Sequence, residues 1–132
     1  MNFIYLLPFS YFYLTRLSKG SLAFHVLFEW ICAALLVIVF SDLLPLNALI
    51  NSLVIYIAFI SLYEIGYMAN DLFAANKETD GRLRGPQNVK SYWIFLWIAT
   101  RLVVFLAITL ILNQEATLAW WSYFLALTIV FF

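Results

Sequence analysis

The chain is expected to fold as an all-α, polytopic membrane helix bundle of about four transmembrane helices. Three observations predict this. The 132 residues are 66% hydrophobic and only 11% charged, whereas soluble domains carry ~25% charged residues. The apolar residues fall into runs close to the ~20 needed to cross a bilayer. The polar residues gather in short turns and one longer loop. Net charge is zero and no basic block or tail occurs, which argues against nucleic acid as a partner. A single cysteine, Cys32, excludes an intrachain disulfide and a cysteine-based zinc site.

The elements follow in order. Residues 1–20 are aromatic and apolar but broken by Pro8, with Arg16 and Lys19 at the end. Too short to span, this segment is expected to lie interfacially with its rings at headgroup level. The transmembrane domain is expected over 21–132. Its spans are predicted at about 22–40, 48–69, 92–112 and 117–132, with a cytoplasmic loop at 70–91. Ser41-Asp42 ends the first run and Pro45 restarts a helix. Gly81, Gly85 and Pro86 break the long loop, and Asn113-Gln114-Glu115 turns the chain into the last run. That run stops without a polar or basic anchor, so the chain is expected to be part of a longer protein rather than a complete four-span one.

Arg16 and Lys19 precede the first span, Lys77, Arg82, Arg84 and Lys90 sit between the second and third, and the 41–47 and 113–116 turns hold no base. The positive-inside rule therefore places the N-terminus and the 70–91 loop in the cytoplasm.

Charges inside predicted spans point to a buried polar layer, because an ionised group in hydrocarbon is costly unless paired or in a wet cavity. By helical rise, Glu29 lies ~12 Å into the first span, Glu64 ~10 Å from Asp71, and Arg101 ~15 Å into the third. Arg101 is expected close to Glu29 or Glu64, either as a lock between helices or as part of a site. On the second span, Tyr56, Tyr63, Glu64, Tyr67, Asn70 and Asp71 fall within about 120° of arc, so this side faces protein or a cavity rather than lipid. Trp93, Trp97 and Arg101 recur one turn apart, which sets the guanidinium near an indole face. His25 and Glu29 are likewise one turn apart.

The stretch GYMANDLFAANKETDGRLRGP, from Gly66 to Pro86, resembles the first aspartate-rich motif of the UbiA-type intramembrane prenyltransferases. It is also similar to a YEIGY-x-x-ND loop in short UbiA-like proteins of bacterial polysaccharide gene clusters. The resemblance implies the first half of the UbiA fold and a bacterial inner-membrane location. It implies Asn70, Asp71 and Glu78 as catalytic residues, with Asp71, Glu78 and Asp80 as ligands for Mg²⁺. Lys77, Arg82 and Arg84 match phosphate-binding bases, and Tyr63, Glu64, Tyr67 and Arg101 complete the expected substrate contacts. Ala74 stands where the family has its middle acid, and the family's second acidic motif is absent from these residues.

Two functions are therefore expected. One is Mg²⁺-dependent transfer of a prenyl or polyprenyl-linked group from a diphosphate substrate at the cytoplasmic membrane face. The alternative is a non-catalytic membrane subunit, binding an isoprenoid lipid, a membrane protein partner or a second copy of itself, that kept the fold and lost the metal site.

Overall fold

The computed structural model describes residues 3–74, 85–86 and 88–131, and every regular element among them is helical. Three helices are long and apolar enough to cross a membrane: a first span Leu22–Phe40, a second span Pro45–Phe73 and a third span Ser91–Ile111. The fourth run forms a shorter apolar helix, Leu118–Phe131, of 14 residues. At 1.5 Å per residue it reaches roughly 21 Å, less than the ~30 Å hydrocarbon core.

Local chemistry sets the ends of these helices. The Ser21 side chain accepts a hydrogen bond from the Phe24 backbone N–H at 3.3 Å and starts the first span. Ser41 is extended and stops it. Leu44 is held extended by the proline that follows, and Pro45 occupies the first helical turn. The second span accordingly begins three residues before the predicted 48. Asn113 takes φ 51° just past the third span. The Gln114 N–H donates to the Thr109 carbonyl at 2.9 Å, and the Asn113 N–H to Leu110 at 3.0 Å. This double closure is a Schellman motif, with asparagine in the left-handed position usually given to glycine.

Regular 3.6-residue periodicity fails in two places. Residues His25–Cys32 are π-helical, as are Asn70–Ala74 at the end of the second span. Each wide turn rotates the following side chains relative to the ideal helical wheel, and such turns concentrate at functional sites.

The second span is the hub, packing against the first and third spans, the last helix and the N-terminal helix Ser10–Thr15. Ala58 on the hub meets Phe105 and Ile108 of the third span and Phe124 of the last helix in one core. The Trp120 indole N–H donates to Thr109 Oγ1 at 3.1 Å and ties the last helix down. The first span is the loose member. No residue of its most hydrophobic window is buried, and Phe28, Leu35, Leu36 and Val39 are exposed, as befits a surface in contact with lipid.

Residues 3–19, within the segment expected to lie interfacially, also pack against the bundle. From Phe3 to Lys19 the chain forms a 3₁₀ turn, a short helix and a second 3₁₀ turn. Phe3, Ile4, Leu7 and Tyr13 are exposed and suit headgroup level, but Tyr11, Phe12, Thr15 and Leu17 are buried against the bundle. Tyr11 packs with Met68 and Trp97, while Phe12 and Leu17 pack with Ile60. The hydrophobic content that reads as a membrane-surface segment is half consumed by tertiary contact.

Candidate functional site

The docked N-terminal segment is held by two arginine–carboxylate pairs, both outside any pattern visible on one helix. At the deeper pair, Arg101 Nε donates to Glu64 Oε2 at 2.6 Å, and both side chains are fully buried. Arg101 Nη1 donates to the Leu6 carbonyl, and Nη2 to those of Tyr5 and Leu7, at 2.6, 2.9 and 2.8 Å. With a longer contact to Thr100 Oγ1, all five guanidinium donors have acceptors. The cation lies 4.6 Å from the Trp97 ring centre. The second Glu64 oxygen accepts from the Phe12 backbone N–H at 2.7 Å, capping the first turn of the Ser10–Thr15 helix. A buried charge pair is tolerable only when its remaining donors and lone pairs are used, and here they are.

At the second pair, Asp71 is 3% exposed. One carboxylate oxygen accepts from Arg16 Nη2 at 2.8 Å and the other from the Tyr11 hydroxyl at 2.7 Å. The Arg16 guanidinium lies 4.4 Å from the Tyr67 ring centre, and Tyr67 donates to the Tyr63 hydroxyl at 2.9 Å. Burial, reinforced by the hydrogen bond to Asp71, pushes the Tyr11 phenol well above its ordinary value, so it stays protonated as a donor. Gly85, at the far end of the long loop, seats against this group. A Cβ there would collide with the Tyr11 hydroxyl and crowd the Asp71 Cβ at 3.3 Å. Arg16 Nη1 is buried without a hydrogen-bond partner among the described residues.

A cavity of about 740 Å³ lies between the first span, the second span and Pro8-Phe9 of the N-terminal segment. Its walls are mostly apolar, with Glu29, Trp30, Ser52 and Tyr56 as the polar exceptions. Ile31, Leu49, Leu53 and Ile57 line it while remaining exposed, so it opens through the outer, apolar side of the bundle. Phe9 helps to shape it from a left-handed backbone, φ 70°, an unusual conformation for a bulky residue. Its ring meets those of Trp30 and Tyr56, with centres 6.2 and 6.4 Å away.

The expected site residues separate into three groups. Glu64 and Arg101 pair with each other, while Glu29 lies 2.9 Å from His25 Nδ1 instead, in a geometry too poorly aligned for a hydrogen bond. Tyr63, Tyr67 and Asp71 gather around Arg16. Asn70 is exposed beside the buried Asp71, so the two residues do not present one surface. Lys77, Glu78, Asp80, Arg82 and Arg84 lie outside the described residues. Sequence reasoning did not single out Tyr11, read Gly85 only as a loop breaker and used Arg16 as a topology marker. Its available signal was a base and a tyrosine on a docked segment, which becomes informative only once docking is known.

A Mg²⁺ site of the kind the motif implies finds little in the described residues. No group of three histidine, cysteine, aspartate or glutamate residues converges among them. Of the three carboxylates expected to hold the ion, Asp71 alone is described, and both its oxygens are engaged by Tyr11 and Arg16; Glu78 and Asp80 lie outside the described residues. No family model matches the chain, and no curated protein or solved structure matches it significantly.

Proposed function

We propose that this integral membrane protein is a non-catalytic binder of an isoprenoid or polyprenyl lipid, with the lipid chain held in the cavity between the first and second spans. One observation carries the reading: a cavity of about 740 Å³ with apolar walls opens through the exposed residues Ile31, Leu53 and Ile57. That volume is within the ~300–1,000 Å³ range of small-molecule sites. A branched hydrocarbon chain gains dispersion contacts there without crossing a polar surface. Saturable binding of an isoprenoid chain by the protein in nanodiscs tests this. Replacing Ala34, which lines the cavity, by Phe fills the space and is expected to weaken binding roughly tenfold, about 1.4 kcal/mol; unchanged binding rejects the assignment.

A second reading, UbiA-type transfer from a prenyl diphosphate, is favoured by Asn70-Asp71 at the end of the second span with Arg16 beside it. A metal there would require Glu78 or Asp80 and the release of Asp71 from Arg16. Mg²⁺-dependent binding of a prenyl diphosphate that disappears in Asp71→Asn with Glu78→Gln supports this reading; metal-independent binding removes it. In either case the bases of the N-terminal segment and of the 70–91 loop favour a cytoplasmic side for that end of the bundle, and a bacterial inner membrane is the location the UbiA resemblance implies. Cleavage of the loop by protease added to the periplasmic side would contradict that orientation.

A further inference from the structure

Glu29, Trp30, Ser52 and Tyr56 line the cavity, and they differ in what their polar atoms already do. The Ser52 hydroxyl donates to the Leu49 carbonyl of its own helix at 2.8 Å. The Trp30 N–H and the Tyr56 hydroxyl are buried and interact with each other, so their polar ends do not face the space. Glu29 is the exception. Its side chain is 36% exposed, and His25 Nδ1, 2.9 Å away, is too poorly aligned to donate to it. A carboxylate accepts at about four lone-pair sites. By helical rise Glu29 lies about 12 Å into the ~30 Å hydrocarbon core, where an ionised group is costly unless a partner balances it. Arg101, the base at similar depth, is already committed to Glu64 and to backbone carbonyls.

We infer that Glu29 is the receptor for a positively charged end group, and that the occupant of the cavity is a single-chain isoprenoid amine. Its ammonium N–H groups donate to the Glu29 carboxylate, and its chain lies along Ala33, Ala34, Leu53 and Ile57. The same ion pair forms whether the proton arrives on the amine or passes to it from the carboxyl group. The rings of Phe9, Trp30 and Tyr56 line the same space, and aromatic rings attract a cation. A bare hydrocarbon leaves Glu29 without a partner, and an alcohol donates one hydrogen bond without balancing its charge. A phosphate or diphosphate would bring like charge towards it. The ethanolamine headgroup of a phospholipid has the same ammonium chemistry, but its phosphate holds it at the bilayer surface. The inference rests on the lipid-binding reading and adds to it the chemical class of the ligand's end group.

The test compares phytanylamine with phytanol and phytane, one branched chain with three different ends. Each is tritiated and equilibrated as a mole fraction of a phosphatidylcholine nanodisc, with empty nanodiscs as the blank. The wild type is expected to retain the amine about tenfold more strongly than either neutral chain. Glu29→Gln, which keeps the size and an acceptor but loses the charge, should bring the three ligands to parity. Unchanged phytane binding in that variant shows that the cavity survives. Amine binding no stronger than that of the neutral chains by the wild type overturns the cation receptor and leaves the lipid cavity standing. Saturable binding of none of the three overturns both. A preference for the amine that persists in Glu29→Gln overturns the assignment to Glu29. Loss of the preference when phosphatidylethanolamine replaces phosphatidylcholine assigns the ammonium to a phospholipid headgroup and overturns the single-chain amine.

Discussion

Arg101 and Arg16 each join the N-terminal segment to a carboxylate of the second span, and each lies over an aromatic ring. They differ in how fully they are used. Arg101 and Glu64 are both fully buried, and their hydrogen-bonding capacity goes to backbone groups of residues 5–7 and 12 as well as to each other. Arg16 is 11% exposed and leaves Nη1 without a partner among the described residues. The first pair has no capacity left for a ligand and acts as a lock. The second pair retains a donor at the end of the bundle where the long loop returns through Gly85. Similar residue types thus take different roles according to what surrounds them.

Breaking the lock should have the largest effect. Arg101→Met leaves the buried Glu64 carboxylate with the Phe12 N–H but without its cation, and should cost ~3–5 kcal/mol, read as a loss of thermal stability in detergent. Adding Glu64→Gln should restore part of the loss, because the uncompensated charge disappears. No recovery would mean that the carbonyl contacts of Arg101 matter more than its charge pairing.

At the second pair, Gly85→Ala should cost ~1–3 kcal/mol by overpacking against Tyr11. In a Tyr11→Phe background the colliding oxygen is absent and the penalty should fall by more than half. The same hydroxyl predicts a pH dependence. Its pKa is raised on folding from an unfolded value near 10. The stability it supplies is therefore fully present below pH 10 and declines as pH rises towards the folded value. Ultraviolet titration should show Tyr11 among the phenols that resist ionisation above pH 10, and Tyr11→Phe should lower that resistant absorbance by one tyrosine. The smallest effect is expected for Arg16→Lys. It keeps the charge but loses the planar fork over Tyr67, for under about 1 kcal/mol at this partly exposed position.

Much of the fold was legible because hydrophobic runs and breakers are local signals. The tight turn before Pro45, the stop at Asn113 and the three long helices all follow from a few neighbouring residues. The polar sector of the second span was also readable, and Tyr63, Tyr67, Glu64 and Asp71 do face the docked N-terminal segment rather than lipid. The partner of Arg101 was narrowed to two glutamates, and depth alone could not choose between them. Local sequence gave no warning of the π-helical turn over His25–Cys32, so the first span's facing could not be taken from a 3.6-residue wheel. The site was less legible still. Tyr11 and Gly85 are 74 positions apart in the chain, and Gly85 reads in its own stretch only as a loop breaker.

Composition and periodicity by themselves determined that this chain lives in a membrane and that its charges must be paired, since hydrocarbon penalises an isolated ion wherever it occurs. Only the tertiary structure decided which charges pair and which donors remain unused. Both depend on how residues 3–19 fold back between the spans. That return brings backbone carbonyls to Arg101, a hydroxyl to Asp71 and the Phe9 ring to the wall of the cavity, and no local pattern encodes contacts made over such separations.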